Sequence, residues 1–194
     1  MEPLKPVKSV FREYVESLVI ALVLALFVRT FIVQAFKIPT GSMRMTLVEG
    51  DRILVDKVGY GIRIPFTDWR LPEVRPPHRG DIVVFRAPDD PGRDFIKRLV
   101  GLGGDTIEIR DLKVWVNGKP LKDPPVFTQI NYYNRGDYGL PSHPVRVPPG
   151  HYFFLGDNSA SSRDSRYWGF LPESNVIGRA LVIYWPLKRI RWLK

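Results

Sequence analysis

Near its start the chain carries a run that few folds can accommodate: residues 18–28 read LVIALVLALFV, with no polar atom in any side chain. Arg29 and Thr30 interrupt it, and FIVQAF extends the apolar character to Phe36. As a helix, 18–36 would reach roughly 28 Å at 1.5 Å per residue, close to the thickness of a bilayer core. A cleaved leader, a buried core helix and a single membrane span all suit such a run. A leader needs a small-residue cleavage site, and none stands before Lys37. The expectation is one transmembrane anchor over 18–36 behind a tail of residues 1–17, with the lipid bilayer as a partner. Arg29, past the uninterrupted run, can snorkel to the outer interface. Lys5, Lys8 and Arg12 precede the span. By the positive-inside tendency they put the amino terminus in the cytoplasm and the rest of the chain on the outer face of the cell membrane.

From Lys37 onward the pattern changes to short apolar runs broken by Gly, Pro and Asp. Eighteen prolines and 16 glycines favour a turn-dense, mostly β protein over a helical one. Candidate strands are 52–58, 81–87, 94–100, 106–111, 113–118, 151–157 and 179–185. Asn117-Gly118 is a strong two-residue hairpin signal. The stretch 119–150 is Pro-rich, aromatic and irregular, and reads as an excursion from the core.

The net charge of +9 is compatible with nucleic acid, anionic lipid or solubility alone. No Lys/Arg run or zinc-finger spacing supports nucleic acid, so none is expected. The absence of cysteine excludes disulfides, thiolate metal sites and a cysteine nucleophile together. His78, His143 and His151 sit among Pro and Gly without metal-ligand spacing, so no metal is expected. The carboxy-terminal LVIYWPLKRIRWLK suits a membrane surface or a final core strand with a basic tail.

Three segments could hold chemistry. In FKIPTGSM, Pro39 restricts the preceding residue to extended backbone and Gly41 allows a tight turn before Ser42. A serine after such a turn can present its hydroxyl and its N–H to the same space, as nucleophilic attack and oxyanion stabilisation require. Thr40 could add a hydroxyl donor. A plain structural turn reads the same way. Serine needs a base, and no histidine has an acidic neighbour. In DFIKRLV, alternation puts Phe95, Lys97 and Leu99 on one face, and Asp94, Ile96, Arg98 and Val100 on the other. Lys97 is thus flanked by two large apolar side chains, and burial would lower its pKa toward that of a base. From the pattern alone, a snorkelling edge lysine is the commoner reading. Residues 156–166, GDNSASSRDSR, form a polar loop after an apolar strand. There Asp164 could clamp Arg166 or Arg98, and Ser162 could hydrogen-bond an amine.

In this order the segments resemble the bacterial type I signal peptidase family of serine proteases. FKIPTGSM-x-x-TL is similar to its nucleophile box, GDRILVDKVGYGIR and RGDIVVFRAPDDP to its next boxes, DFIKRLVGLGGD to its lysine box, and GDN-x8-SRYWGF-x-P to its last. The resemblance implies a mostly β fold: an antiparallel catalytic domain (37–110 and 150–194) with a small β-rich insertion (111–149), carried on the anchor. It implies Ser42 as nucleophile, Lys97 as general base, and an oxyanion hole from the Ser42 N–H and the Thr40 hydroxyl. Ser162 would orient the lysine, and Asp157, Asp164, Arg98 and Arg166 would support the site. Phe36, Ile38, Pro39, Met43, Phe95 and Ile96 would bind substrate, with pockets for alanine-like residues at the first and third positions before the cut. The implied reaction needs no cofactor. The implied partners are signal-peptide-bearing preproteins and the secretion translocon. Thr40 stands where serine is commoner, and Met45 and Gly103 where proline is usual. A self-cleaving repressor with the same dyad should carry a DNA-binding helical domain instead of an apolar start. A catalytically silent, membrane-anchored binding protein on the same fold is the remaining alternative.

Overall fold

The computed structural model describes residues 10–61, 74–90 and 92–193. Lys5 and Lys8 of the expected tail, and the end of GDRILVDKVGYGIR, lie outside the described residues. Helix α1 (Val10–Phe27) buries none of its residues and runs into a π-helical turn, Val28–Ile32. Together they make a 23-residue helix, Val10–Ile32, whose most apolar 18-residue stretch has a mean hydropathy of 2.3. At 1.5 Å per residue this is about 34 Å, long enough to cross a bilayer.

The helical segment therefore begins earlier and ends sooner than 18–36. Val33 has extended backbone (φ −137°, ψ 135°), and β1 (Val33–Lys37) pairs antiparallel with β2 (Arg52–Asp56), from Val33 opposite Asp56 to Lys37 opposite Arg52. The apolar tail FIVQAF is thus divided between the last helical turn and an edge strand. The β2 ladder satisfies its backbone where a continuing helix would have done so.

The remaining strands are β3 (Ile82–Arg86), β4 (Asp94–Gly101), β5 (Thr106–Arg110), β6 (Lys113–Val116), β7 (Lys119–Pro120), β8 (Val145–Arg146), β9 (His151–Leu155), β10 (Leu171–Pro172), β11 (Val176–Trp185) and β12 (Arg191–Trp192). The larger sheet has the order β1-β2-β11-β3-β4-β9-β10, with β12 also on β11. Among the described residues its strands pair antiparallel. Apolar side chains cover both faces of its centre: Ile53, Val55, Ile82, Val84 and Ile183 belong to one cluster, Val83, Phe85, Leu99 and Phe154 to another. This explains why β3 reads as a continuous apolar run.

The smaller sheet, β7-β6-β5-β8, packs over a core including Ile107, Ile109, Phe127 and Phe153. It takes in β5, which precedes the expected insertion boundary at 111. Asp111 and Leu112, both at positive φ (52° and 59°), make the turn between β5 and β6. A leucine carries no sequence signal for such a turn, so the hairpin was not legible. Asn117-Gly118 does form the expected hairpin, with φ of 52° and 76° and Val116 opposite Lys119.

Candidate active site

The path from β1 to Ser42 is held at each step. The Ile38 N–H donates to the Asp51 carbonyl at 2.8 Å, and the Gly50 N–H donates to the Ile38 carbonyl at 2.9 Å. Thr40 is extended (φ −133°, ψ 156°), and one 3₁₀ turn follows over Gly41–Met43. Met43 is fully buried and its sulfur accepts from the Asp157 N–H at 3.3 Å. Ser42 is thereby left at the exposed side of the turn, in a cleft of about 740 Å³ that Pro39, Thr40, Phe95, Ile96 and Lys97 also line.

Lys97 reaches this turn from β4. Its Nζ stands 2.7 Å from Ser42 Oγ and 3.1 Å from the Ile96 carbonyl oxygen. It also lies 5.3 Å from the centre of the Phe95 ring, the same-face neighbour that alternation predicts. Only 4% of Lys97 is accessible. Burial is the main influence on the amine and lowers its pKa from the ordinary 10.5 to about 8; Asp164 and then Asp157 push it upward, and Arg166 pushes it down. A serine hydroxyl against an amine that is neutral in a substantial fraction of molecules near neutral pH can give up its proton and attack an electrophilic carbon.

Two buried ion pairs lie close by, and they settle the sequence's open pairing. Asp157 takes Arg98 in a two-pronged contact, Nε to Oδ1 at 2.8 Å and Nη2 to Oδ2 at 2.6 Å. Asp164 takes Arg166, both guanidinium contacts at 2.7 Å. Each pair ties backbone together as well. Arg98 donates to the Gly80 carbonyl at 2.6 Å and Arg166 to the Tyr133 carbonyl at 2.7 Å, while Asp164 accepts from the Gly156 N–H at 2.9 Å. A Cβ on Gly156 would stand 2.1 Å from Ser162 Oγ and 2.7 Å from the Ser42 carbonyl oxygen. That position admits glycine because the loop and the nucleophile turn are in contact there.

Ser162 is buried beside the site, and its Oγ has no hydrogen-bond partner among the described residues. Three of the expected substrate-lining residues need correction. Ile38 and Met43 are core residues, Phe36 packs against the same core, and none of the three lines the cleft. Their side chains hold the strand and turn from beneath, whereas Pro39, Phe95 and Ile96 face the opening. Two further residues carry contacts that the sequence reading missed. Asn158 clamps the nucleophile turn, its side-chain amide donating to the Gly41 carbonyl and its N–H to the Ser42 carbonyl, both at 2.9 Å. Thr46 donates its hydroxyl to Asp157 Oδ2 at 2.5 Å and accepts from Arg98 at 3.1 Å. The GDN and TL letters signalled both, but the partners are distant backbone and side-chain groups that only the fold brings near.

Comparison with known proteins follows the same lines. Residues 11–185 match the family model described as signal peptidase, peptidase S26. The chain is 36% identical over 214 residues to signal peptidase I of Pseudomonas fluorescens, covering 93% of this chain and 75% of that protein. It is 39% identical over 185 residues to probable signal peptidase I-1 of a Synechocystis strain, covering 92% and 84%. A crystal structure of a signal peptidase I from Enterococcus faecalis V583 is 34% identical, with a TM-score of 0.46, covering 55% of this chain and 98% of that one.

Proposed function

Because the chain belongs to the signal peptidase family, peptidase S26, and is therefore a serine peptidase, we propose that it removes amino-terminal signal peptides from exported preproteins with a Ser42–Lys97 dyad. The observation that carries this reading is the 2.7 Å contact between the buried Lys97 amine and Ser42 Oγ. In the neutral state the Ser42 hydroxyl donates to the lone pair of Nζ. As Oγ bonds to the scissile carbonyl carbon, the proton passes to Lys97. Lys97 then gives it to the leaving nitrogen as the carbon–nitrogen bond breaks, leaving the acyl group on Ser42. A water, deprotonated by the same amine, attacks the ester carbon; as the bond to Oγ breaks, Lys97 returns that proton to Ser42 and the new carboxyl terminus leaves.

The developing oxyanion is assigned to the Ser42 N–H and the Thr40 hydroxyl, since Thr40 lines the cleft and its side chain does not cap the following turn. Ser162 is assigned to hold the Lys97 amine. A buried hydroxyl without a partner is costly, which favours a partner in the working enzyme. Pro39, Phe95 and Ile96 supply the apolar wall expected to accept alanine-like residues before the cut. The apolar helix Val10–Ile32 is assigned as the anchor, amino terminus in the cytoplasm, so that the cleft faces outward near the bilayer surface.

The test is a preprotein with an Ala-x-Ala site after its apolar segment, incubated in detergent with wild type and with Ser42→Ala. Wild type should cut once at that site, and Ser42→Ala should not cut. Failure of a folded wild type to cut would favour the silent binding protein. Thr40→Ser should retain activity, whereas Thr40→Val should lose about 10²–10³-fold in kcat, the usual effect of one oxyanion donor. Equal rates for these two variants would remove Thr40 from the oxyanion hole.

A further inference from the structure

Between the anchor and the sheet lies a second opening, an apolar groove of about 690 Å³ that the dyad does not use. One wall is α1, through Ala21, Leu24 and Ala25; the other is the sheet edge, through Val33 and Ala35 of β1 and Leu54 of β2. Among the described residues no carboxylate lines it, and the charged lining residue is Arg29. Arg29 stands near the end of the helix, where snorkelling sets the level of the membrane surface. The groove therefore spans the boundary between the bilayer and the domain.

A short length of chain joins the groove to the cleft: the backbone of β1 runs on through Lys37 and Ile38 to Pro39 and Thr40, which line the cleft around Ser42. Among the described strands β1 is the outermost of its sheet, paired on one side by β2. From Ala35 to Ser42 is at most roughly 23 Å, the reach of a fully extended stretch, because Gly41–Met43 forms a 3₁₀ turn. A substrate extended through the cleft would thus reach the groove within about seven residues of the bond that is cut.

We propose that this groove is the docking site for the apolar segment of the preprotein's signal peptide, seated between α1 and the edge of β1 while the following residues extend to Ser42. The inference rests on the signal-peptidase reading given above. The occupant must be apolar, must lie at the membrane boundary and must be joined to a short extended stretch ending at the dyad. A signal peptide has all three properties. A phospholipid acyl chain has the first two and lacks the third.

The test compares two substrates on one set of variants. Ala21→Phe and Ala25→Trp add bulk to an exposed helix wall without touching the cleft. They should lower kcat/KM for a full preprotein about tenfold, mainly through KM, with binding energy of about 1.4 kcal/mol lost. Cleavage of a short peptide carrying the Ala-x-Ala site but no apolar segment should stay unchanged. A photoreactive residue at position 24 of a Ser42→Ala protein should cross-link to the apolar segment of the bound preprotein. Unchanged preprotein kinetics in the bulky variants would overturn the proposal, as would an equal loss with both substrates. A loss seen in vesicles and absent in lipid-free detergent would assign the groove to lipid and overturn it too. If wild type cuts neither substrate, the signal-peptidase reading fails, and that outcome is distinct from all of these.

Discussion

Replacing Lys97 with methionine is expected to lower preprotein cleavage by at least roughly 10³-fold while leaving the protein folded and no less stable. A positioned acid–base group contributes about 10²–10⁴-fold, and here one amine would serve in acylation and again in deacylation. Methionine keeps the length and apolar stem of the side chain, so the wall beside Phe95 stays filled. In the proposed mechanism Ser42 and Lys97 act as a unit, so the double variant Ser42→Ala/Lys97→Met should be no slower than the slower single variant. Additive losses would show that the two residues contribute separately. The stability expectation comes from the amine's depressed pKa. Below pH 8 the folded state holds a buried ammonium that an unfolded chain would solvate, which disfavours folding by roughly 3 kcal/mol. Between about 8 and 10.5 the unfolded chain binds more protons, so wild-type stability should climb with pH across that window. Methionine carries no charge and should remove that slope from denaturant unfolding measured at several pH values.

With Lys97 as the proposed base, the same lowered pKa should set the rate profile of the wild type. Below pH 8 the neutral fraction of Lys97 grows about tenfold per pH unit, so kcat/KM should rise at that slope and level off above it. A profile that is flat between pH 6 and 8 would show that another group, with a lower pKa, takes the serine proton.

How far this site could be read from the chain depends on whether each signal is local. The placement of Lys97 beside Phe95 was legible because period-2 alternation puts both on one face of β4, and the ring does lie near the amine; the role of the lysine came from the resemblance, since the pattern alone favours an edge lysine. The Asn117-Gly118 hairpin was legible because two residues at positive φ leave a compositional trace. The division of FIVQAF between helix and strand was not, because apolar residues suit either state and the partner that decides, β2, follows about 15 residues later. Ile38 and Met43 failed as cleft residues for a related reason. Their hydrophobicity marks them as buried, and a sequence does not say whether a buried side chain faces a pocket or the core beneath it. Asn158 and Thr46 were invisible as clamps because their partners, the Gly41 and Ser42 carbonyls and the Asp157–Arg98 pair, are supplied by distant parts of the chain.

Asp157→Ala should have the largest effect on stability. The change leaves Arg98, 1% exposed, without its carboxylate and Thr46 without the acceptor of its hydroxyl. Breaking a buried pair from one side costs about 3–5 kcal/mol, because the remaining charge has no water to compensate it. For a chain of this size that corresponds to a fall of roughly 6–20 °C in Tm. The exposed Arg44–Glu49 pair, 63% and 38% accessible, provides the contrast: Glu49→Ala should shift Tm little, because solvent replaces what is lost. A Tm that does not fall in Asp157→Ala would mean that Arg98 finds another partner. Asp157→Asn gives a second readout that stability alone does not determine. It keeps the side-chain shape and one carbonyl oxygen, so its folded fraction can be assayed. Removing the carboxylate charge takes away one of the two acids that raise the Lys97 pKa. The alkaline rise in kcat/KM should therefore move to lower pH, with a larger neutral fraction of Lys97 at pH 7. A shift to higher pH would show that Asp157 reaches Lys97 by positioning β4 through Arg98, and not through its charge.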